Sequence, residues 1–198
     1  MDLEAPIDAW YVWVAVAIVS IAIFGVALAV PSGPPPDANA GANAIDRVGA
    51  SPHEASATVD HDGEGVRLTA TELALRNDHG TSYADLAYGG VVPARGVDSL
   101  ENVTHGAAYE EEYAHPYYPP VYLFLEDVDD AHRSEADEWA TARGDLTVRH
   151  VRLESGLLDV LDRLSIGDFD VPAAVTTRWD GVHYDSTRGE FYVVLVDA

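Results

Sequence analysis

From Trp10 to Val30 the chain runs 21 residues without a charged side chain, and only Trp10, Tyr11, Trp13 and Ser20 carry a polar side-chain atom. A helix of that length rises about 30 Å, the hydrocarbon thickness of a bilayer. Trp10, Tyr11 and Trp13 gather at one end, where amphipathic rings favour the headgroup level, and Pro31 with Pro34, Pro35 and Pro36 ends the run at the other. The preceding stretch has three acids and no base. The apolar run also exceeds the roughly 7–15 residues of a signal-peptide core. The expectation is a retained N-terminal transmembrane helix, with the lipid bilayer as the partner of Trp10–Val30. Residues 1–30 are then tail and anchor, residues 31–44 a Pro/Gly/Ala/Asn linker, and residues 45–198 one acidic domain. The linker sequence PSGPPPDANAGANA is expected to be extended and to bury nothing.

Charge narrows the function classes. The chain has 34 acidic residues against 11 basic ones, all 11 are arginine, and lysine is absent. Without Asp2, Glu4 and Asp8 there remain 31 acids against 11 arginines, a net of −20. Such a surface stays soluble in concentrated salt, where the Debye length shrinks to about 3 Å and self-repulsion is screened. This composition is expected of a halophilic archaeon. It leaves no basic stripe for phosphates, so nucleic acid is not expected as a partner. With no cysteine, thiolate metal sites, disulfides and a cysteine nucleophile are excluded.

Orientation has two opposed signals. The first basic residue after the apolar run is Arg47, which on the positive-inside rule leans toward a cytoplasmic domain. Asn102-Val103-Thr104 is an N-glycosylation sequon and makes Asn102 a candidate modified site, and the linker suits a domain held away from a surface, so the expectation is a single-pass cell-membrane protein with its C-terminal domain outside the cell.

The folded part is expected to be α+β, with antiparallel strands. Val66–Leu68, Leu73–Leu75 and Tyr83–Tyr88 alternate around the turn residues Asn77-Asp78-His79-Gly80. Val121–Leu125 is a continuous apolar run, expected as a doubly buried strand. Asp129 and Asp130 are N-cap candidates for a helix through Trp139, with Arg143 in its last turn and Gly144 at the stop. With a strand over Leu146–Leu153, residues 121–153 would form a βαβ unit. Leu157, Leu158, Leu161 and Leu164 share a helical face. Val171–Trp179 leads through an Asp180-Gly181 turn to Phe191–Val196, expected as an inner strand.

Five of the ten tyrosines fall between positions 109 and 122, among prolines and Glu110, Glu111 and Glu112. One reading is a binding loop whose contact surface is Tyr109, Tyr113, His115, Tyr117 and Tyr118, since tyrosines give rigid contact area. The other is a packed loop over residues 121–125. Glu126, Asp127, Asp129 and Asp130 lack EF-hand spacing, and a helix N-terminus accommodates carboxylates without a metal. No H-E-x-x-H, P-loop, G-x-G-x-x-G or G-x-S-x-G is present. No catalytic residue, metal ligand or cofactor is expected.

The stretches APIDAWYVWVAVAIVSIAIFGVALAVPSGPPPDA and VRLTATELALRNDHGTSYADLAYGGVVPA resemble a haloarchaeal family of single-span membrane proteins. The resemblance implies an N-terminal anchor and a surface-exposed domain. The layout is also similar to archaeal type IV pilin-like accessory proteins. It departs from them at Ala5–Ala9, which is acidic where prepilins carry a basic residue before the cleavage site. The expected function is a membrane-anchored structural or interaction protein, an accessory component of a surface or secretion/pilus-type assembly with protein partners. The alternative is an extracytoplasmic ligand-binding module using the Tyr-rich loop.

Overall fold

The computed structural model describes residues 9–29, 33–69, 71–134, 138–153 and 171–198 of the chain. Its larger sheet has the strand order β1-β7-β9-β5, and β8 also pairs with β9. These strands are β1 (Ala55–Asp60), β5 (Val92–Pro93), β7 (Asp145–Leu153), β8 (Val182–Asp185) and β9 (Glu190–Asp197). All pairings are antiparallel except β5 with β9, where Val92 lies opposite Leu195. The smaller sheet runs β4-β3-β2-β6, from β2 (Gly65–Leu68), β3 (Glu72–Asn77), β4 (Gly80–Asp85) and β6 (Ala140–Thr141). The β3–β4 hairpin forms where the turn residues place it. The Asn77 side-chain oxygen accepts from the His79 and Gly80 amides at 2.9 and 3.2 Å. Phe191–Val196 is an inner strand as expected, flanked by β7 on one side and by β8 and β5 on the other.

Strand alternation divides the core in two. Val151 and Leu153 of β7 and Phe191, Val193 and Leu195 of β9 meet α3 (Asp98–Thr104), α4 (Tyr109–Glu112), α5 (Pro120–Ser134) and α6 (Val171–Arg178). On the opposite face Leu146, Val148, Val194 and Val196 pack with α2 (Ala38–Gly49) and with Val66, Leu73 and Leu75 of the smaller sheet. The larger sheet is thus the middle layer, and the fold class is α+β with antiparallel sheets.

Several expectations are corrected. The chain forms a helix α1 over Ala9–Ala29, but among the described residues no helix is long and apolar enough to cross a membrane. On that finding the expected N-terminal transmembrane helix is not upheld. The side chains of residues 10–25 in α1 are exposed, and nothing lies within 4 Å of a Cβ built on Gly25.

The linker expected to be extended is instead half helix. Asp37 caps α2 by accepting from the Ala40 amide at 3.2 Å, and Ala38, Gly41, Ala42, Ala44 and Ile45 are buried. Small residues do this work because α2 lies close to the sheets. A Cβ on Gly41 would sit 2.6 Å from Leu73 Cδ2.

Residues 121–125 are helical, so no βαβ unit forms, and β7 pairs antiparallel with both neighbours. Val121, Phe124, Leu125 and Val128 are all buried, a 3.6-residue period that continues past the apolar run and settles it as helix. Asp129 is therefore no N-cap. It lies buried inside α5, accepting from the Asp180 amide at 3.1 Å and from Arg133. Gly144, at φ +94°, turns the chain into β7, ten residues after α5 ends at Ser134. The helix expected over Leu157–Leu164 lies outside the described residues.

One ion-pair network joins α3 to the end of β9. Arg143 grips Glu101 with two hydrogen bonds at 2.8 and 3.0 Å and reaches buried Asp197 at 3.2 Å, which also meets His105 at 2.8 Å. The Arg143 hydrogen bonds hold the Glu101 carboxyl below its usual range, and the Gly96 amide adds to this. A lowered folded pKa contributes stability above the unfolded value of about 4.3, and that contribution is lost as pH falls through the folded value. Arg143→Ala is expected to cost about 1 kcal/mol at pH 7, since the guanidinium is half exposed. In urea titrations the gap from wild type should close below pH ~4. A gap that stays constant down to pH ~3 would contradict this account.

Candidate functional site

The Tyr-rich segment splits into an inner and an outer half. Tyr109 and Tyr113 stand one helical turn apart, so α4 points both at α5. Their rings lie 5.2 and 5.5 Å from Phe124, and both are buried. The Tyr113 hydroxyl donates to Asp127 at 2.8 Å. Burial, and then the carboxylate beside it, push that hydroxyl far above the usual tyrosine range. These two tyrosines hold the loop down and present no contact surface.

The outer half is held by its prolines. Pro116, Pro119 and Pro120 fix the backbone around His115, Tyr117 and Tyr118. Tyr117 is 83% exposed and Tyr118 52%. His115 Nδ1 accepts from the Tyr117 amide at 3.2 Å, and its ring lies 5.9 and 5.2 Å from Tyr117 and Tyr118. Tyr118 stacks on Tyr122 at 6.3 Å, and Tyr122 meets the edge of buried Trp179 at 6.5 Å. The strip is thus a surface ladder of rings anchored in the core. Exposed Glu110, Glu111 and Glu112 flank it.

The acidic run after the strip is engaged within the fold. Asp127 takes Tyr113, Asp129 takes Arg133 and the Asp180 amide, and Glu126 takes Arg178 at 3.2 Å. Among the described residues no group of three acids or histidines is placed to hold a metal. Asn102 is exposed on α3, with its amide donating to Glu112 at 3.3 Å. The sequon's Thr104 is buried and its hydroxyl donates to the Leu100 carbonyl at 2.8 Å. The folded chain therefore does not offer the complete sequon at its surface.

A second feature escaped the sequence. The inner-face positions of β7 and β9 are apolar at Leu146, Val148, Val194 and Val196 but become His150 and Tyr192 toward one end. There a cleft of about 160 Å³ opens between these residues, Tyr88, the Gly49–Pro52 end of α2, and a rim of Arg152, Asp185, Arg188 and Glu190. The available signal was parity, because His150 and Tyr192 occupy positions where the strand pattern calls for apolar side chains.

Profile comparison matches residues 4–151 to a family of unknown function, DUF7283. The chain belongs to that family. No curated protein and no solved structure matches it. The family match includes the whole Tyr-rich segment, Tyr88 and His150, while α6, β8 and β9 lie beyond it.

Proposed function

We propose that this DUF7283 protein is an interaction protein that docks a protein partner, as an accessory component of a surface or secretion assembly. The docking surface is the aromatic strip of His115, Tyr117 and Tyr118. The observation that carries this reading is the exposure of Tyr117 and Tyr118, at 83% and 52%, on a segment braced by prolines and by Trp179 beneath. Tyrosines are enriched in interface cores, and a rigid segment loses little entropy on docking. The acidic flank favours a partner with a basic surface. The lysine-free, acid-rich composition supports origin in a halophilic archaeon and work in concentrated salt.

Replacing Tyr117 and Tyr118 together by alanine is expected to leave stability within about 0.5 kcal/mol of wild type, because neither ring is core. Partner affinity should fall about thirtyfold or more, the scale of a central aromatic anchor. Crosslinked co-purification at native salt, alongside thermal denaturation, checks both. Equal partner recovery by the variant, or a large loss of stability, would overturn the reading.

A further inference from the structure

The charged rim of the cleft carries a second and independent inference. Strand registry builds it. Arg152 lies opposite Tyr192 and Asp185 opposite Glu190, so all four share the sheet face that also carries His150. Arg188 stands in the turn between β8 and β9, and the Gly49–Pro52 end of α2 forms another wall. Asp185 and Glu190 are thus two carboxylates directly across a strand pair, which costs stability unless cations stand beside them. Arg188 and Arg152 are those cations.

The two pairs are not equally complete. Asp185 accepts from Arg188 at 2.5 Å and from the Thr187 amide at 2.8 Å, and chiefly the Arg188 bond holds its carboxyl below the usual range. Arg152 and Glu190 approach only to 3.5 Å, beyond the roughly 2.7–3.2 Å of a hydrogen bond. Among the described residues neither side chain has another hydrogen-bond partner. Their side chains are 41% and 36% exposed, and both line the cleft. A guanidinium offers a fork of donors and a carboxylate several lone pairs, so most of this pair's capacity is unspent.

We propose that this cleft binds a free α-amino acid as its zwitterion. The carboxylate lies on Arg152, and the ammonium lies between Glu190 and the carbonyl end of α2, where the helix macrodipole is negative. Tyr192 and Pro52 line the space left for the side chain. In an α-amino acid one carbon joins the two charged groups, which holds them about as close together as Arg152 and Glu190. A simple anion meets Glu190 and a simple cation meets Arg152, so each is opposed by one half of the pair. The rim guanidiniums and carboxylates cancel, in a chain of formal charge −23. In molar salt only contacts within about 3 Å escape screening, which favours a two-pronged carboxylate bond to Arg152 over long-range attraction. The cleft, at about 160 Å³, lies below the roughly 300–1,000 Å³ of pockets for drug-sized ligands and suits a smaller molecule.

Amide and guanidinium NMR titrations of the full chain in molar potassium chloride test this. Glycine, L-alanine and L-leucine are the probes; acetate, methylammonium and 4-aminobutyrate, whose charges stand further apart, are the controls. At least one α-amino acid should give saturable shifts at residues 49–52, 152 and 190, with each control about tenfold weaker or more. Glu190→Gln should weaken amino-acid binding about tenfold, the value of one hydrogen bond to a charged group, and strengthen acetate binding. Arg152→Gln should weaken both. Surface ion pairs contribute little to stability, so both variants should remain folded. A merely structural Glu190 would not move the two affinities in opposite directions. No saturable shift with any α-amino acid, equal binding of a control, shifts away from the cleft, or unchanged amino-acid affinity in Glu190→Gln would overturn the proposal.

Discussion

A chain that begins at Ile45 is expected not to fold, even though residues 31–44 just before it are all proline, small or polar. Such a chain lacks Ala38, Gly41, Ala42 and Ala44, all buried in the core between the two sheets. It also lacks the Asp37 cap, and the bond in which Ser82 Oγ donates to the Pro36 carbonyl at 2.5 Å. What remains of α2 is Ile45–Gly49, under two turns, too short to hold as a helix. Ile45 and Val48 then lose the element that presents them to Leu73, Leu75 and Leu146. Burying one such aliphatic side chain is worth about 2–5 kcal/mol, so losing several reaches the whole stability of a domain of roughly 5–15 kcal/mol. Circular dichroism and amide NMR dispersion measure this directly. A cooperative thermal transition in the 45–198 chain would show that α2 is dispensable.

Dilution of salt is expected to destabilise the full chain nearly as strongly. At formal charge −23 the compact state concentrates repulsion that the unfolded chain relieves. The described arginines neutralise only local pairs such as Arg67–Glu72 and Arg143–Glu101. The Debye length grows from about 3 Å at 1 M to about 30 Å at 10 mM, so charges across the whole domain begin to interact. A loss of several kcal/mol lowers the melting temperature by about 10 °C or more in a chain this size. Equal melting temperatures in molar and millimolar potassium chloride would contradict the reading of the acidic surface as salt-adapted.

Local chemistry was legible wherever one signal acted alone. The Asn77–Gly80 turn and the Phe191–Val196 strand follow from turn residues and a β-branched run with no competing period. Val121–Leu125 misleads because five apolar residues fit either a buried strand or a helix, and the deciding positions, Val128 and Ala131, lie within and just after an acidic stretch. Residues 38–44 mislead for the opposite reason. Their burial depends on small size at a close approach to Leu73, which no hydropathy pattern records. Asp37 after the proline run was the cap signal that could have found α2.

At the site, the spacing of Tyr109 and Tyr113 fits an inward helical face and the proline-framed Tyr117 and Tyr118 do not. That distinction was readable in advance. The cleft was not, since it joins Tyr88, His150 and Tyr192 from three distant segments through the registry of β7 with β9.

The central claim is that the aromatic strip is a docking surface. The most direct test is a photo-crosslinking residue at position 117 in the full chain, in cells held at native salt, with position 83 as control. Tyr83 is also exposed, at 56%, but lies on the smaller sheet away from the strip. The account predicts one dominant protein adduct at 117 that disappears with Tyr118→Ala, and none at 83. Absence of an adduct at 117, or the same adducts at both positions, would contradict it.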